Sequence, residues 1–254
     1  MDKHQFKDHF SGASEQYSQY RPDYPADLFR FLSSIATGHD LAWDCATGSG
    51  QAARGLAKYF HKVIATDASE QQIEHAIHHE NISYQVAPAH KSTLQAGSID
   101  LITVAQALHW FEFDRFYEEA RRVLKPSGII AVWTYNLLTI SPEIDKIIKF
   151  FYADVVGKFW PPERRRVENG YESIPFPFHR LPSPSFHMSA EWTLKQLLGY
   201  LGTWSAVKRY RDRKGKNPIE SIEKDLTRAW DNPSGVRVVN WPLSVMVGKK
   251  KDDR

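Results

Sequence analysis

The sequence predicts an α/β fold with a largely parallel sheet covered by helices on both faces. Short, nearly continuous apolar runs, typical of strands buried on both faces, alternate with segments of helical spacing between residues 25 and 134. Turn-forming residues such as Lys125-Pro-Ser-Gly128 separate these segments. Strand–helix alternation of this kind is typical of parallel sheets.

Each predicted element follows from its apolar pattern and flanking residues. Ser69, with Gln72 three residues later, indicates a helix start, and Asp114 begins another helix. The predicted strands are 41–45, 61–67, 82–86, 99–105 and 129–134, and the predicted helices are 25–35, 51–59, 70–78 and 114–124. In parallel sheets ligands bind beyond the carboxyl ends of the strands, so the residues after each strand are the first candidates for a site.

The alternation stops after Tyr135. Helical patterns cover 142–156, 190–200 and 218–230, whereas 159–184 is irregular and rich in proline and aromatic residues; a last strand is predicted at 236–248. We therefore expect a core at 1–139, a mainly helical cap at 140–233 that includes a sheet strand near 183–188, and a final core strand with a charged tail at 234–254.

Composition excludes several classes of protein. The 254 residues are 42% hydrophobic and 25% charged, which is ordinary for a globular protein. The chain shows no membrane-spanning run or secretory signal, and its single cysteine, Cys45, fits a reducing cytoplasm. The net charge of +3 gives no reason to expect a nucleic-acid partner, and the basic run 208–216 is typical of a solvated helix face. No metal site is predicted, and the oligomeric state is left open.

The turn after the first strand is the main candidate for a cofactor site. Asp44 ends the apolar run, and the small residues 46–50 follow it before the next helix. A tight strand-to-helix turn presents backbone N–H groups that a ligand can approach only past small side chains.

Two cofactor classes compete for this turn. Gly48, Gly50 and Ala53, with Asp67 further on, match a dinucleotide fingerprint and would fit a nicotinamide-dependent oxidoreductase. S-adenosylmethionine is favoured because Asp44 suits the amino group of a methionine moiety and would repel a pyrophosphate. No second mononucleotide-binding half follows.

The chain resembles the class I S-adenosylmethionine-dependent methyltransferases, most closely the subgroup resembling trans-aconitate methyltransferases. The segments that carry the resemblance are Asp44-Cys-Ala-Thr-Gly-Ser-Gly50, Asp67, Ala87-Pro-Ala-His90, Tyr20-Arg-Pro-Asp-Tyr-Pro25, Val104-Ala-Gln-Ala-Leu-His-Trp-Phe111, Ala120-Arg-Arg-Val-Leu-Lys-Pro-Ser-Gly128, Ile174-Pro-Phe-Pro-Phe178 and Thr203-Trp-Ser-Ala-Val207. The resemblance implies a Rossmann-like sheet of seven strands, mostly parallel, whose last strand is antiparallel.

The resemblance also implies roles for individual residues. Residues implied to hold S-adenosylmethionine are Tyr20 and Arg21 from an N-terminal lid, Asp44, Ala46, Gly48, Gly50, Asp67, Ala68, Ala89, His90 and Gln106; those implied to line the acceptor pocket are Trp110, Trp133 and Tyr135. Two positions depart from the family pattern. Ala46 replaces a glycine, which alanine tolerates at negative φ, and His90 stands where an acid usually accepts the adenine amino group.

The chemistry of the acceptor follows from the bases available. His109 is a candidate general base, since the pKa of histidine lies near neutrality, although it also fits a structural role in its loop. No other residue of the motifs is an obvious base, which favours an acceptor already ionised at neutral pH. The leading hypothesis is O-methylation of a small-molecule carboxylate; the alternatives are a catalytically silent S-adenosylmethionine-binding protein and an NAD-dependent oxidoreductase. Arg164–Arg166 and Arg180 are candidates for binding an anionic acceptor.

Overall fold

The computed structural model describes residues 22–250, and its strands form a single sheet. The strands are β1 (Leu41–Cys45), β2 (Lys62–Asp67), β3 (Ile82–Val86), β4 (Ile99–Ala105), β5 (Leu124–Tyr135), β6 (His179–Leu181), β7 (Phe186–Trp192) and β8 (Arg237–Lys249). The helices are α1 (Ala26–Ile35), α2 (Gln51–Leu56), α3 (Glu70–Glu74), α4 (Phe113–Val123), α5 (Pro142–Phe150), α6 (Arg164–Glu168), α7 (Leu194–Gly202), α8 (Ser205–Lys214) and α9 (Glu220–Trp230).

Strands β1 to β5 are parallel, as the sequence predicts, and lie in the order β3-β2-β1-β4-β5. The chain runs outward from β1 to β3 and then returns to the other side of β1 with β4. This reversal of strand order opens a crevice at the carboxyl ends of β1 and β4, where ligands bind in open α/β sheets. The candidate site residues follow these strands.

The far side of the sheet confirms an antiparallel last strand, and the sheet has eight strands in seven positions. β8 pairs antiparallel with β5 on one side, and on its other side with both β6 and β7. These two short strands therefore share one edge position of a seven-position sheet. Pro182 and Pro184 lie between them, and proline cannot donate a ladder hydrogen bond. The strand expected near 183–188 starts at Phe186 instead.

Several predicted boundaries in the second half are wrong. The helix expected over 190–200 begins at Leu194, because β7 extends to Trp192 and Thr193 forms a capping box with Gln196. The helix expected over 142–156 ends at Phe150 and continues as one wider turn. The irregular stretch 159–184 contains α6 and β6.

Helices α2 and α3 are shorter than predicted, while β5 is longer. β5 starts at Leu124 and so includes the predicted turn Lys125–Gly128, at which its register with β4 shifts. Two apolar clusters cover the two faces of the parallel strands, and a third fills the cap between β7, β8 and the helices α5, α7 and α9. The division into core and cap at residues 139 and 233 stays a prediction. None of the helices within residues 22–250 is long and apolar enough to span a membrane.

Candidate S-adenosylmethionine site

The turn after β1 has a left-handed backbone at three positions. Gly48 and Gly50 have φ of 55° and 85°, and Ala46 has φ of 56°. The negative φ expected for Ala46 is therefore wrong, and its side chain is accommodated in a conformation that normally favours glycine. A Cβ atom on Gly50 would overlap the Tyr84 hydroxyl. The turn thus requires a residue without a side chain at position 50.

Asp44 is a fully buried carboxylate at the end of β1. Its Oδ1 accepts a hydrogen bond from the Thr103 hydroxyl at 2.7 Å, and its Oδ2 accepts one from the Thr47 hydroxyl at 2.5 Å. Burial raises the pKa of Asp44 to about 6, although both hydroxyls oppose the increase. A neighbouring cation would stabilise this carboxylate, so the site suits the ammonium group of an amino acid.

Asp67 connects the ends of β1 and β2. Its Oδ2 accepts the backbone N–H of Gly48 at 2.9 Å, and its Oδ1 accepts that of Ser69 at 2.9 Å. These two bonds fix the orientation of the carboxylate, whose oxygens are the kind of acceptor that the hydroxyl groups of a ribose bind. Ser69 caps α3 by accepting the N–H of Gln72 at 3.4 Å, as predicted. Ala68, partly exposed, lies beside it.

The loop after β3 carries Ala89 and His90, which are both partly exposed at the same edge of the sheet. Glu119 of α4 anchors this loop: it accepts the backbone N–H of Ser92 at 2.8 Å and the Ser92 hydroxyl at 2.5 Å. Arg122 holds the carboxylate from the other side, with 2.7 Å between Nε and Oε2.

Gln106 follows β4 with φ of 54°. Its Oε1 accepts the backbone N–H of Tyr135 at 2.9 Å and the Thr134 hydroxyl at 2.6 Å, while its Nε2 donates to the Tyr135 carbonyl at 3.1 Å. The amide therefore joins the carboxyl ends of β4 and β5. One Nε2 hydrogen remains for a ligand.

His109 is buried in the short turn after Gln106. Its Nδ1 lies 2.8 Å from the Tyr171 hydroxyl, and its carbonyl accepts a hydrogen bond from Arg166 at 2.9 Å. Burial, together with the charges of Arg164 and Arg166, lowers the pKa of His109 to about 3. The imidazole is thus neutral at physiological pH and a weak base.

The aromatic residues assigned to the acceptor pocket occupy different places. Trp110 is partly exposed and stacks near His109, with ring centroids 4.8 Å apart. Trp133 is fully buried in the core and contacts Tyr24 and Phe29 edge-on. Tyr135 packs into the cap cluster. The structure therefore brings Trp110 to the site, whereas Trp133 and Tyr135 lie in apolar cores close to it. Tyr20 and Arg21 lie outside the described residues.

Several residues that support the site were not predicted from the sequence. Thr103, Thr134 and Tyr171 carry hydroxyls that bond to predicted site residues, and Asn136 binds Arg164. Thr103 and Thr134 are polar residues within otherwise apolar strands, which was a usable signal. Tyr171 gave none, because it is distant in sequence. Among residues 22–250 no cluster of His, Cys, Asp or Glu is placed to hold a metal ion.

These residues fit S-adenosylmethionine. The buried Asp44 suits the methionine amino group, Asp67 suits the ribose hydroxyls, and the turn at Gly50 leaves no room for a side chain. A pyrophosphate at the same turn would lie beside two carboxylates. The two carboxylates of this site therefore match S-adenosylmethionine better than a dinucleotide.

Known proteins similar to this chain are methyltransferases. The family model described as "Methyltransferase domain" matches residues 43–132. A protein of Dictyostelium discoideum that is provisionally named a methyltransferase is 34% identical to this chain. The alignment covers 97% of this chain and 96% of the Dictyostelium protein. A solved structure from Anaeromyxobacter dehalogenans, provisionally named a type II methyltransferase, is 43% identical with a TM-score of 0.86, covering 90% of this chain and 97% of that one.

A solved structure from Anabaena variabilis shares the fold at 15% identity, with a TM-score of 0.55 over 87% of this chain and 98% of that one. The fold, the turn at Asp44–Gly50 and the relatives agree, which decides against the nicotinamide-dependent and the catalytically silent alternatives. The chain belongs to the class I S-adenosylmethionine-dependent methyltransferases and is an enzyme that uses S-adenosylmethionine as its cofactor.

Proposed function

We propose that this methyltransferase acts on a small molecule and O-methylates a carboxylate group. The observation that carries the proposal is the pair of guanidinium groups, Arg164 and Arg166, that lie close to the neutral His109 at the carboxyl ends of β4 and β5. Both charges belong to α6 in the cap, and neither forms a salt bridge with a described carboxylate. Two cations without a direct salt bridge to a described carboxylate favour an anionic acceptor, although Arg164 shares the Tyr152 hydroxyl with Glu168.

The geometry of Arg164 suits a carboxylate. Its Nε donates to the Tyr152 hydroxyl at 2.8 Å, and its Nη2 donates to Asn136 Oδ1 at 2.9 Å. The guanidinium also lies over the rings of Trp160 and Tyr152, at 4.8 and 5.4 Å from their centroids. These contacts hold the group in one orientation and leave two hydrogens on Nη1 and one on Nη2 for an acceptor carboxylate.

The weak basicity of His109 also favours a carboxylate. An alcohol must lose a proton to become a good nucleophile, and His109, with a pKa of about 3, accepts protons poorly. A carboxylic acid is already ionised at neutral pH. The resemblance to the trans-aconitate methyltransferase-like subgroup supports the same acceptor class.

The reaction is a displacement at the methyl carbon. When bound, the cofactor supplies a methyl group on a positively charged sulfur. A carboxylate acceptor is already ionised at neutral pH, so this chain would need no base to remove a proton from it before it accepts the methyl group. The contribution of this chain is to orient the acceptor with Arg164 and to exclude water with the cap and the Trp110 ring.

We also propose that Tyr20 and Arg21 belong to a lid over the cofactor, that Ala89 and His90 contact the adenine, and that Trp110 contacts the acceptor. The enzyme is proposed to be cytoplasmic and to have no nucleic-acid partner.

The test is a screen of small carboxylic acids, phenols and amines for release of S-adenosylhomocysteine. We expect turnover with carboxylic acids, and we expect Arg164→Gln to raise the acceptor KM at least tenfold by removing the bidentate contact. Arg165→Gln is the matched control, because Arg165 is exposed on the same helix. Turnover confined to phenols or amines, or equal KM values for both variants, would contradict the proposal.

A further inference from the structure

Arg164 and Glu168 lie four residues apart on α6, a spacing at which opposite charges normally pair directly. Here they do not, because the salt bridges formed within residues 22–250 include neither of them. Instead the Tyr152 hydroxyl lies between them, 2.8 Å from Arg164 Nε and 2.6 Å from Glu168 Oε1. A tyrosine from another segment of the cap therefore separates two charges that the helix brings together.

The direction of both hydrogen bonds follows from the groups that form them. A guanidinium nitrogen can only donate, so the Tyr152 oxygen accepts from Arg164 Nε. A carboxylate can only accept, so the single hydroxyl hydrogen of Tyr152 goes to Glu168. Burial raises the pKa of Tyr152 to about 12, which keeps that hydrogen on the phenol at physiological pH. The hydroxyl is therefore used by its two charged neighbours and has no hydrogen left for a ligand.

The wider turn that follows α5 places Tyr152. In this turn, Phe151–Val155, the N–H of Val156 donates at 3.0 Å to the Phe151 carbonyl, five residues back, where an α-helix would use the Tyr152 carbonyl. The Tyr152 carbonyl accepts the indole N–H of Trp160 at 3.2 Å instead. One turn of the chain thus fixes both aromatic rings. Such π-type turns are rare and often mark functional sites.

The two rings form the surface against which Arg164 packs. The ring centroids of Tyr152 and Trp160 are 4.8 Å apart, and the guanidinium lies over both rings. Asn136, which follows β5, accepts from Arg164 Nη2 at 2.9 Å. Two aromatic faces and two hydrogen bonds therefore hold the guanidinium, and two hydrogens on Nη1 and one on Nη2 take part in neither bond.

We propose that Tyr152 is a positioning residue for Arg164: its hydroxyl keeps the guanidinium from pairing with Glu168, so that the Nη hydrogens stay available to the carboxylate of the methyl acceptor. The inference rests on the proposed function, because it assumes that Arg164 binds the acceptor. Without the hydroxyl, Arg164 would turn toward Glu168, as their spacing on α6 favours. The acceptor would then compete with a carboxylate of the protein itself.

The orientation of Arg164 is tested on the cofactor-free enzyme by ¹H–¹⁵N NMR of the arginine Nε–H groups. The Arg164 signal is assigned by its loss in Arg164→Gln. We expect this Nε–H to exchange with water about tenfold more slowly than that of the exposed Arg165, because it donates to the buried Tyr152 hydroxyl. Equal exchange rates would overturn the inference, whichever acceptor the enzyme uses.

Kinetics with the best acceptor from the screen test the consequence for binding. Tyr152→Phe should raise the acceptor KM about tenfold with a smaller change in kcat and no change in affinity for S-adenosylmethionine, since the hydroxyl acts on acceptor binding through Arg164. Tyr117→Phe is the matched control. It removes a buried hydroxyl without a described partner and should retain the wild-type KM.

A second substitution separates positioning from loss of stability. Glu168→Gln removes the charge that would capture Arg164, so Tyr152→Phe combined with Glu168→Gln should recover most of the lost acceptor affinity, whereas a folding defect would not be repaired. Glu168→Gln alone should change KM by less than about threefold, because the glutamine carbonyl can still accept from Tyr152. The positioning role is overturned if the double variant binds the acceptor no better than Tyr152→Phe. It is also overturned if Tyr152→Phe keeps the wild-type KM while Arg164→Gln raises it, a result that leaves the proposed acceptor class standing.

Discussion

Asp44 shows how one side chain can serve the cofactor and destabilise the free protein. Its pKa rises to about 6 in the folded protein because the carboxylate is buried, whereas in the unfolded chain it stays near its model value of 3.8. The folded state therefore binds the proton more tightly. Below about pH 4 the carboxyl is protonated in both the folded and the unfolded state, so its ionisation does not lower the free energy of unfolding. As pH rises from about 4 through 6, the unfolded state ionises more readily, and part of the free energy of unfolding is lost.

Asp44→Asn should consequently stabilise the free enzyme at pH 8, by about 2–3 kcal/mol in the free energy of unfolding. The threonine that faces the new amide nitrogen, Thr47 or Thr103, can rotate its hydroxyl to accept from it, while the other still donates to the amide oxygen. The gain should shrink at pH 4, and calorimetric affinity for S-adenosylmethionine should fall at least tenfold. Urea unfolding at both pH values measures the effect, with the exposed Asp27→Asn as control. A loss of stability at pH 8 would contradict the burial argument.

Ala46 has a backbone conformation that glycine adopts more readily. A left-handed conformation costs an alanine about 1–2 kcal/mol, and the flexibility of glycine in the unfolded chain offsets part of that amount. Ala46→Gly should therefore raise the free energy of unfolding by about 0.5–1 kcal/mol and leave cofactor affinity equal or higher. Ala52→Gly, in the interior of α2, should instead lower stability by about 1 kcal/mol. Thermal unfolding of the two variants gives opposite shifts if the φ of Ala46 is the cause.

At the scale of elements, α4 contributes to the cofactor site by holding the loop after β3. Burial alone would raise the pKa of Glu119, but the hydrogen bonds from Arg122 and Ser92 outweigh it and hold that pKa below its ordinary value. The stabilisation is present above the unfolded pKa and is lost as pH falls through the lower folded value.

Glu119→Gln should weaken this anchor and lower the free energy of unfolding by about 1–2 kcal/mol at pH 7. Because the loop also carries Ala89 and His90, we expect a several-fold loss in affinity for S-adenosylmethionine but no loss for methionine, which lacks the adenine. Glu118→Gln, an exposed neighbour on α4, is the control. Equal losses for both ligands would assign Glu119 a general structural role.

The elements also show which features a sequence can predict. Strands β1, β3 and β4 match their predicted bounds because each is a short apolar run ended by small or polar residues. The cap was predicted less well. The pattern of Ala190–Trp192 is compatible with either a helix or a strand, and these residues belong to β7 because they pair with β8. The positive φ of Ala46 and the bond between His109 and Tyr171 depend on tertiary contacts that no local pattern encodes.

For the whole molecule, the cap and the cofactor core are tied together at two levels. β7 of the cap pairs with β8, which pairs with β5 of the core, so one sheet crosses both parts. At the site, Arg166 donates to the backbone carbonyl of His109, and the Tyr171 hydroxyl is hydrogen-bonded to the Nδ1 atom of its ring. A structure connected in this way is expected to unfold as one cooperative unit.

Leu226→Ala tests this cooperativity, because Leu226 is fully buried in the cap cluster and far in sequence from the cofactor turn. The cavity should lower the free energy of unfolding by about 2–5 kcal/mol. We expect one calorimetric transition, with loss of S-adenosylhomocysteine binding at the same midpoint as loss of cap structure. Val236→Ala, at an exposed position, should change stability by less than about 0.5 kcal/mol. If the cap melts first and the cofactor still binds, the cap is an independent unit, and its arginines could then reach the acceptor only after a separate docking step.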